Sequence, residues 1–325
     1  MSKPVFASVL ADRFVDFVAL RRAEGADYHS PAKLLSYFDR FLCQQGFVGS
    51  SPTREIVEQY VSGLNRLHPN TRPNRLSVVR QFCAYLRQFQ PNGYIPEPGP
   101  RAGQIPYRTP HIFTEDEIKR LLRAACSLSP PGSLRPMTFY ALFGLLYTTG
   151  LRVGEAIALN MADVHLADQR IYIHKGKFRK SRWVPVSAST CRILDRYIQQ
   201  RSSLFAPAPQ DPLFVNLQGR RFFHQIVYTA FRQALSRCGL RGGKGDPGPC
   251  LHDLRHSYAC HRLLAWYRQG RDVTALLPAL ATYLGHACIT YTQICLRATA
   301  ELLELANQRF HNNFRQNVLK QGEGT

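Results

Sequence analysis

The chain has 325 residues, 45% hydrophobic and 11% aromatic, a folded composition that excludes disorder as its main state. Its 42 Lys and Arg against 22 Asp and Glu leave a formal charge of +20, which points to a polyanionic partner, nucleic acid before an anionic membrane. No apolar run approaches the roughly 18 residues needed to span a bilayer, and Met1-Ser2-Lys3-Pro4 opens no signal-peptide core, so no membrane partner is expected.

This length suggests two domains, each able to bury its own core. Residues 1–90 read as a small helical domain. A helix over Ala7–Glu24 places Leu10, Phe14, Phe17 and Val18 on one face. Ser30-Pro31 and Ser51-Pro52 each read as a helix start, with Ser as N-cap and Pro first inside, opening helices Ala32–Gln45 and Thr53–Leu64. A fourth helix, about Asn74–Phe89, sets Arg75, Arg80 and Arg87 among apolar residues. Prolines and glycines then crowd residues 91–112, which cannot propagate a helix or a central strand and read as an extended linker.

Thr114-x-x-Glu117 has the form of a capping box and opens a second domain over 113–315. This domain reads as mostly helical with one β interruption. Ile171-Tyr172-Ile173 and Trp183-Val184-Pro185-Val186 bracket a basic turn, His174 to Arg182, as a hairpin. Helices follow at about Ser187–Gln200, Phe222–Cys238 and Asp253–Trp266, the last preceded by a glycine-rich basic loop carrying Lys244. A final helix over Thr299–Arg315 leads into a tail, 316–325. The fold class is therefore mainly α with a small β-hairpin. The nine cysteines are odd in number and form no C-x-x-C pair, so most read as buried free thiols of a reduced, cytosolic protein.

Three basic segments carry candidate chemistry. Thr148-Thr149-Gly150-Leu151-Arg152-Val153-Gly154-Glu155 puts an arginine at a glycine-marked turn that opens a helix, an arrangement suited to phosphate. In the hairpin turn, His174, Lys175, Lys177, Arg179, Lys180 and Arg182 repel one another unless an anion is present. Leu251-His252-Asp253-Leu254-Arg255-His256 places His252 and Arg255 on one helical face. His252 and His256 also stand at zinc-protease spacing, but Asp253 replaces the glutamate such a site uses and no third ligand follows, so no metal is expected. Tyr283-Leu284-Gly285-His286 reads as a helix ending at glycine.

Taken in order, TTGLRVGEA at 148–156, GKFRKSRWVPV at 176–186, HDLRH at 252–256 and LGH at 284–286 resemble the tyrosine recombinases, that is, phage integrases, Xer-type resolvases and transposon-borne recombinases. The resemblance extends to about residue 310, and the segment TQICLRATAELLELAN at 292–307 is similar to integrases of mobile elements. It implies an N-terminal helical core-binding (SAM-like) domain and an α-rich catalytic domain. The implied activity is a site-specific recombinase that cuts and rejoins DNA through a covalent 3′-phosphoryl-protein intermediate.

By the same resemblance Arg152 and Arg255 hold the scissile phosphate, and Lys177 is the general acid for the 5′-oxygen, with Lys175 its nearby competitor. His252 and His286 bind the phosphate and assist proton transfer. Arg75, Arg80, Lys175, Arg179, Lys180, Arg182 and Lys244 face DNA. No cofactor is implied, since the covalent intermediate conserves the energy of the broken bond. The implied partner is duplex DNA bearing inverted repeats, bound as a tetramer in the synapse by a protein that is a monomer or weak oligomer when free. Partner recombinases and a bacterial cytosolic, nucleoid-associated location belong to the same expectation.

One departure stands out. The nucleophilic tyrosine of the family lies nine residues after the LGH histidine, where this chain has Cys295. Two readings stay open: a cysteine nucleophile, or a recombinase homologue that binds and synapses its sites without cleaving them. Tyr291, one helical turn earlier, is a third candidate for the attack.

Overall fold

A computed structural model describes residues 5–26, 28–67, 71–98, 109–174, 181–243, 248–285 and 304, and the chain divides into two units, Met1–Arg108 and Thr109–Thr325. The first unit contains α1 (Ala11–Ala23), α2 (His29–Gln44), α3 (Arg54–Gly63) with a 3₁₀ turn at Leu64–Arg66, and α4 (Thr71–Leu86). Their apolar faces close a core in which Phe14, Leu35, Phe38, Leu42 and Phe82 are fully buried. The Phe14 and Phe82 rings stack with centroids 3.9 Å apart, and truncating such an aromatic residue to alanine costs about 3–5 kcal/mol.

Helix starts in this unit differ from the sequence expectation. α1 begins at Ala11 rather than Ala7, and the backbone N–H groups of Ala7 and Ser8 ahead of it donate to the buried Asp39 carboxylate at 2.8 and 3.0 Å. Ser30 is not the cap of α2. That helix starts at His29, so Ser30 and Pro31 lie within its first turn, as Pro73 does in α4. The first N–H groups of a helix have no intrahelical acceptor, so proline's missing donor costs little there. For α3 the cap is Thr53, whose Oγ1 accepts from Ile56 N, and Ser51 lies upstream.

The second unit opens with α5 (Glu115–Cys126) behind the expected capping box. Thr114 Oγ1 accepts from Glu117 N at 3.2 Å while the Glu117 carboxylate accepts from Thr114 N at 2.9 Å. Next comes α6 (Leu134–Thr149), apolar around most of its circumference and therefore central, packed by α5 and by two later helices, α8 (Ala188–Leu204) and α10 (Leu251–Arg268). Between them lie the short α7 (Val153–Ala158) and a three-stranded antiparallel sheet in the order β1 (Val164–His165), β2 (Arg170–Ile173), β3 (Arg182–Pro185). The hairpin thus has a third strand that the sequence reading missed, too short to show an alternating pattern.

Register pairs Ile171 with Val184 and Tyr172 with Trp183, so one face buries Ile171, Ile173 and Val184 while the other carries Tyr172 and Trp183. α9 (His224–Arg237) lies against α5, and α10 and α11 (Val273–Leu284) share a smaller cluster of Cys260, Leu263, Leu280 and Leu284. The helix expected over 299–315 and the tail lie outside the described residues.

The described cysteines are free thiols. Cys83, Cys191 and Cys260 are buried, and burial pushes the Cys83 thiol up to about 12. Cys43 and Cys126 are exposed, against the expectation that most of the cysteines are buried: each sits in the last turn of its helix. No described helix is long and apolar enough to cross a membrane.

Candidate active site

α6 ends at Gly150 in the left-handed region, φ +62°. A Cβ there would lie 2.6 Å from Tyr258 Cδ1 and 2.9 Å from Leu284 Cδ2, so only glycine permits both the turn and the packing. The reversal makes Arg152 the N-cap of α7, with Glu155 at the third helical position. The Glu155 carboxylate accepts from the backbone N of Arg152 at 3.0 Å and from its Nη1 at 2.9 Å.

Three arginines from three elements converge on the C-terminal end of α11. Arg182 Nε donates to the Tyr283 carbonyl at 2.9 Å, Arg255 Nη2 to Leu284 at 2.6 Å, and Arg152 Nη2 to Gly285 at 2.8 Å. Successive carbonyls of one helix terminus, the negative pole of its dipole, thus each hold one guanidinium. Arg255 is buried and reaches further, giving Nη1 to the Gly150 carbonyl at 2.7 Å. Gly285 ends α11 at φ +66°, and a Cβ on it would lie 3.0 Å from Arg182 Nη1 and 3.5 Å from Arg152 Nη1.

Glu155 is the carboxylate that binds both Arg152 and Arg182. Its two oxygens accept from Arg182 Nη1 and Nη2 at 3.2 and 3.0 Å, and its side chain is only 6% exposed. Burial works to raise its pKa. Hydrogen bonds from Arg182 and from the Arg152 backbone, with both positive charges, outweigh it and hold the carboxyl below its ordinary range. Three guanidiniums fixed side by side in this way are an arrangement that stabilises an oxyanion.

His252 opens α10 one turn before Arg255. The residue remains exposed on one side, yet its ring is crowded by protein and lies 4.7 Å from the His256 ring, edge to face. Crowding, followed by the charges of His256, Arg255 and Arg152, lowers its pKa to about 4, so the imidazole is neutral at pH 7. The base of the basic turn is anchored by His174, whose Nε2 lies 2.6 Å from Oδ1 of the buried Asp163.

Of the expected site residues, the structure brings Arg152, Arg255 and His252 into one neighbourhood and adds Arg182 to it. Arg182 was read as a DNA-facing cation, but its guanidinium is committed to Glu155 and Tyr283 and its side chain is 15% exposed. Arg75 and Arg80 are half-buried on α4, with Arg75 lying 4.4 Å over the Tyr37 ring. Lys175, Lys177, Arg179, Lys180, Lys244, His286, Tyr291 and Cys295 lie outside the described residues. Sequence reasoning assigned no role to Glu155, although an acid three residues after an arginine at a helix start is a local pair that could have been named.

The family model described as the phage integrase family matches residues 111–301. A Sinorhizobium fredii protein named as an integrase/recombinase, y4rB, is 34% identical over 309 residues, covering 92% of this chain and 96% of its own. The tyrosine recombinase XerD of Proteus mirabilis is 28% identical over 312 residues, 93% of each chain. Among solved structures, the XerH site-specific recombinase bound to its difH substrate aligns with TM-score 0.62 at 21% identity, covering 93% of this chain and 84% of its own. The Tn1549 transposon integrase in complex with transposon right-end DNA aligns with TM-score 0.64 at 16% identity, covering 91% and 98%. At these identities the structural likenesses establish the fold.

Proposed function

The chain belongs to the phage integrase family, and we propose from that premise that it is the site-specific recombinase of a mobile element, cutting and rejoining the strands of duplex DNA. The observation that carries this reading is the convergence of Arg152, Arg182 and Arg255 on the end of α11 around Glu155. Such an array presents fixed N–H donors and positive charge where a pentacoordinate phosphorane would build up negative charge.

In this reading Arg152 and Arg255 bind the non-bridging oxygens of the scissile phosphate. Arg182 and Glu155 act as positioning residues that set the plane of the Arg152 guanidinium. Neutral His252 hydrogen-bonds a phosphate oxygen, and His286 completes the same shell. Cys295 stands at the nucleophile position. Its thiolate attacks phosphorus, an S–P bond forms, the P–O bond to the 5′-oxygen breaks, and Lys177 gives that oxygen its proton. Rejoining runs the same steps in reverse, with the 5′-hydroxyl displacing sulfur. Positive charge nearby favours the thiolate over the thiol. Arg75, Arg80, Lys175, Arg179, Lys180 and Lys244 contact the DNA backbone, and four protomers pair two inverted-repeat sites in the bacterial cytosol.

The test is a nicked substrate carrying the element's own ends, scored for a denaturant-resistant protein–DNA adduct. An adduct that persists in Tyr291→Phe and vanishes in Cys295→Ala supports this reading. A cysteine sulfur lies closer to the backbone than a tyrosine oxygen, and a misplacement of about 1 Å can cost roughly 10²-fold. Cys295→Tyr is therefore the decisive companion: an adduct from it alone makes the natural chain a binding and synapsing homologue. The absence of an adduct from both proteins overturns the recombinase reading.

A further inference from the structure

At the far end of α6 from Gly150 lies a second concentration of arginines that the proposed mechanism does not use. A cleft of about 550 Å³ between α9 and the segment joining α5 to α6 is lined by Arg135, Arg232, Arg237 and Arg241, with neutral donors such as Tyr228 and Gln233. A smaller depression of about 430 Å³ shares Arg237 and adds Arg120 and Arg123. No Asp or Glu lines either one, and no described carboxylate forms an ion pair with these arginines.

The guanidiniums are held by neutral groups. Arg135 donates Nη1 to the Ser129 carbonyl at 2.6 Å and Nη2 to Gln233 Oε1 at 3.1 Å. Arg237 donates to the Ser127 carbonyl, and to Ser127 Oγ at 3.1 Å. Arg120 donates to the Cys238 carbonyl at 3.4 Å, while Arg232 lies over the Tyr228 ring at 5.9 Å. Carbonyls and hydroxyls orient these cations without cancelling their charge. The mutual repulsion is visible in Arg135, whose pKa is lowered by burial and then by Arg237. A cluster of this kind is relieved by an anion with several oxygens.

Arg135 and Gly150 sit at opposite ends of α6, about 22 Å apart along the axis at 1.5 Å per residue. That separation is too large for the cleft to bind the scissile phosphate itself. We propose that this cleft is a second DNA-phosphate site, one that binds backbone away from the cleavage point. The phosphates can come from two sources: the flank of the duplex being cut, or the other duplex of the synapse. This inference rests on the recombinase reading for its choice of DNA.

The test uses the full chain carrying Arg232→Gln and Arg241→Gln together, since neither side chain donates a hydrogen bond to another described residue whose loss would disturb the fold. Affinity for random-sequence duplexes of roughly 12 and roughly 40 base pairs is measured across a salt series. Each phosphate contact contributes about 0.9 to the slope of log affinity against log salt, so the double variant should lose about 1.8 from it. Loss on the long duplex alone assigns the cleft to the flank. Unchanged slopes on single duplexes, with reduced bridging of two differently labelled duplexes in an energy-transfer assay, assign it to the second duplex. Wild-type slopes at both lengths with wild-type bridging overturn the proposal. Adduct formation on the nicked substrate is scored in parallel, so failure of the recombinase reading, with no adduct from any variant, is told apart from failure of this one.

Discussion

Glu155 holds Arg182 through both carboxylate oxygens, at 3.2 and 3.0 Å, across 27 residues of chain. The same carboxylate binds Arg152 on its own helix, so one buried acid separates two cations that would otherwise repel. Glu155→Gln leaves both guanidiniums without a counter-charge. Breaking a buried pair by removing one partner costs about 3–5 kcal/mol, which urea denaturation would read directly. Adduct formation should fall by roughly 10²-fold or more, because Arg152 loses the group that sets its plane. Glu155→Asp, which keeps the charge, should recover part of the stability.

The pH dependence of that pair has a definite sign. The folded Glu155 carboxyl is held below its ordinary value of 4.5, so its contribution is fully present above that pH and is lost as pH falls through the lower folded value. Acid denaturation of the wild type should contain this limb, and Glu155→Gln should lack it.

The two site glycines should separate stability from activity. At Gly150 a new Cβ meets a tyrosine ring and a leucine methyl at 2.6 and 2.9 Å, groups fixed in the core. At Gly285 it meets the end of the Arg182 side chain at 3.0 Å. Both substitutions carry the left-handed backbone cost of about 1–2 kcal/mol. Gly150→Ala adds overpacking, typically about 1–3 kcal/mol more, so its melting temperature should drop further. Gly285→Ala should stay nearer wild-type stability while losing adduct formation, because it displaces the guanidinium cluster itself.

His252 should titrate near pH 4 in the free protein, followed by its imidazole NMR signals. Removing a positive neighbour with Arg152→Gln or His256→Ala should raise the midpoint, and bound duplex DNA should raise it further. The folded value lies below the unfolded value of 6.5, so from pH 6.5 down to about 4 the unfolded chain takes up a proton that the native chain does not. This residue therefore makes the native state less stable as pH falls through that window.

Arg201 is almost fully buried on α8. Its Nη2 donates to the Pro212 carbonyl at 2.9 Å, but Nε and Nη1 have no hydrogen-bond partner among the described residues. A buried charge without full pairing costs more than an apolar side chain of similar volume. Arg201→Met should therefore raise the urea midpoint, by about 1–2 kcal/mol in stability, and leave adduct formation unchanged.

Much of the local structure was legible from residue order. The capping box at Thr114, the apolar face of α1 and the glycine stop of α11 all depend on neighbours within one or two turns. Helix starts were less legible, and at Ala7 and Ser8 the backbone is held by Asp39, over thirty residues away. At the site, the residue types and their order identified Arg152, His252 and Arg255 as candidates, because a phosphate demands cations and donors on fixed elements.

The sequence alone therefore determined the helical class, the positive charge and the four ordered segments that mark the family, since each is written in composition or short-range spacing. Tertiary structure alone decided the partners. Arg182 reaches Tyr283 across 101 residues, Arg152 reaches Gly285 across 133, and Arg255 reaches back to Gly150 across 105. Periodicity specifies which face of a helix is buried, but not which carbonyl a guanidinium will find once helices pack. That pairing sets Arg182, expected as a surface cation, against Glu155 as its buried counterpart.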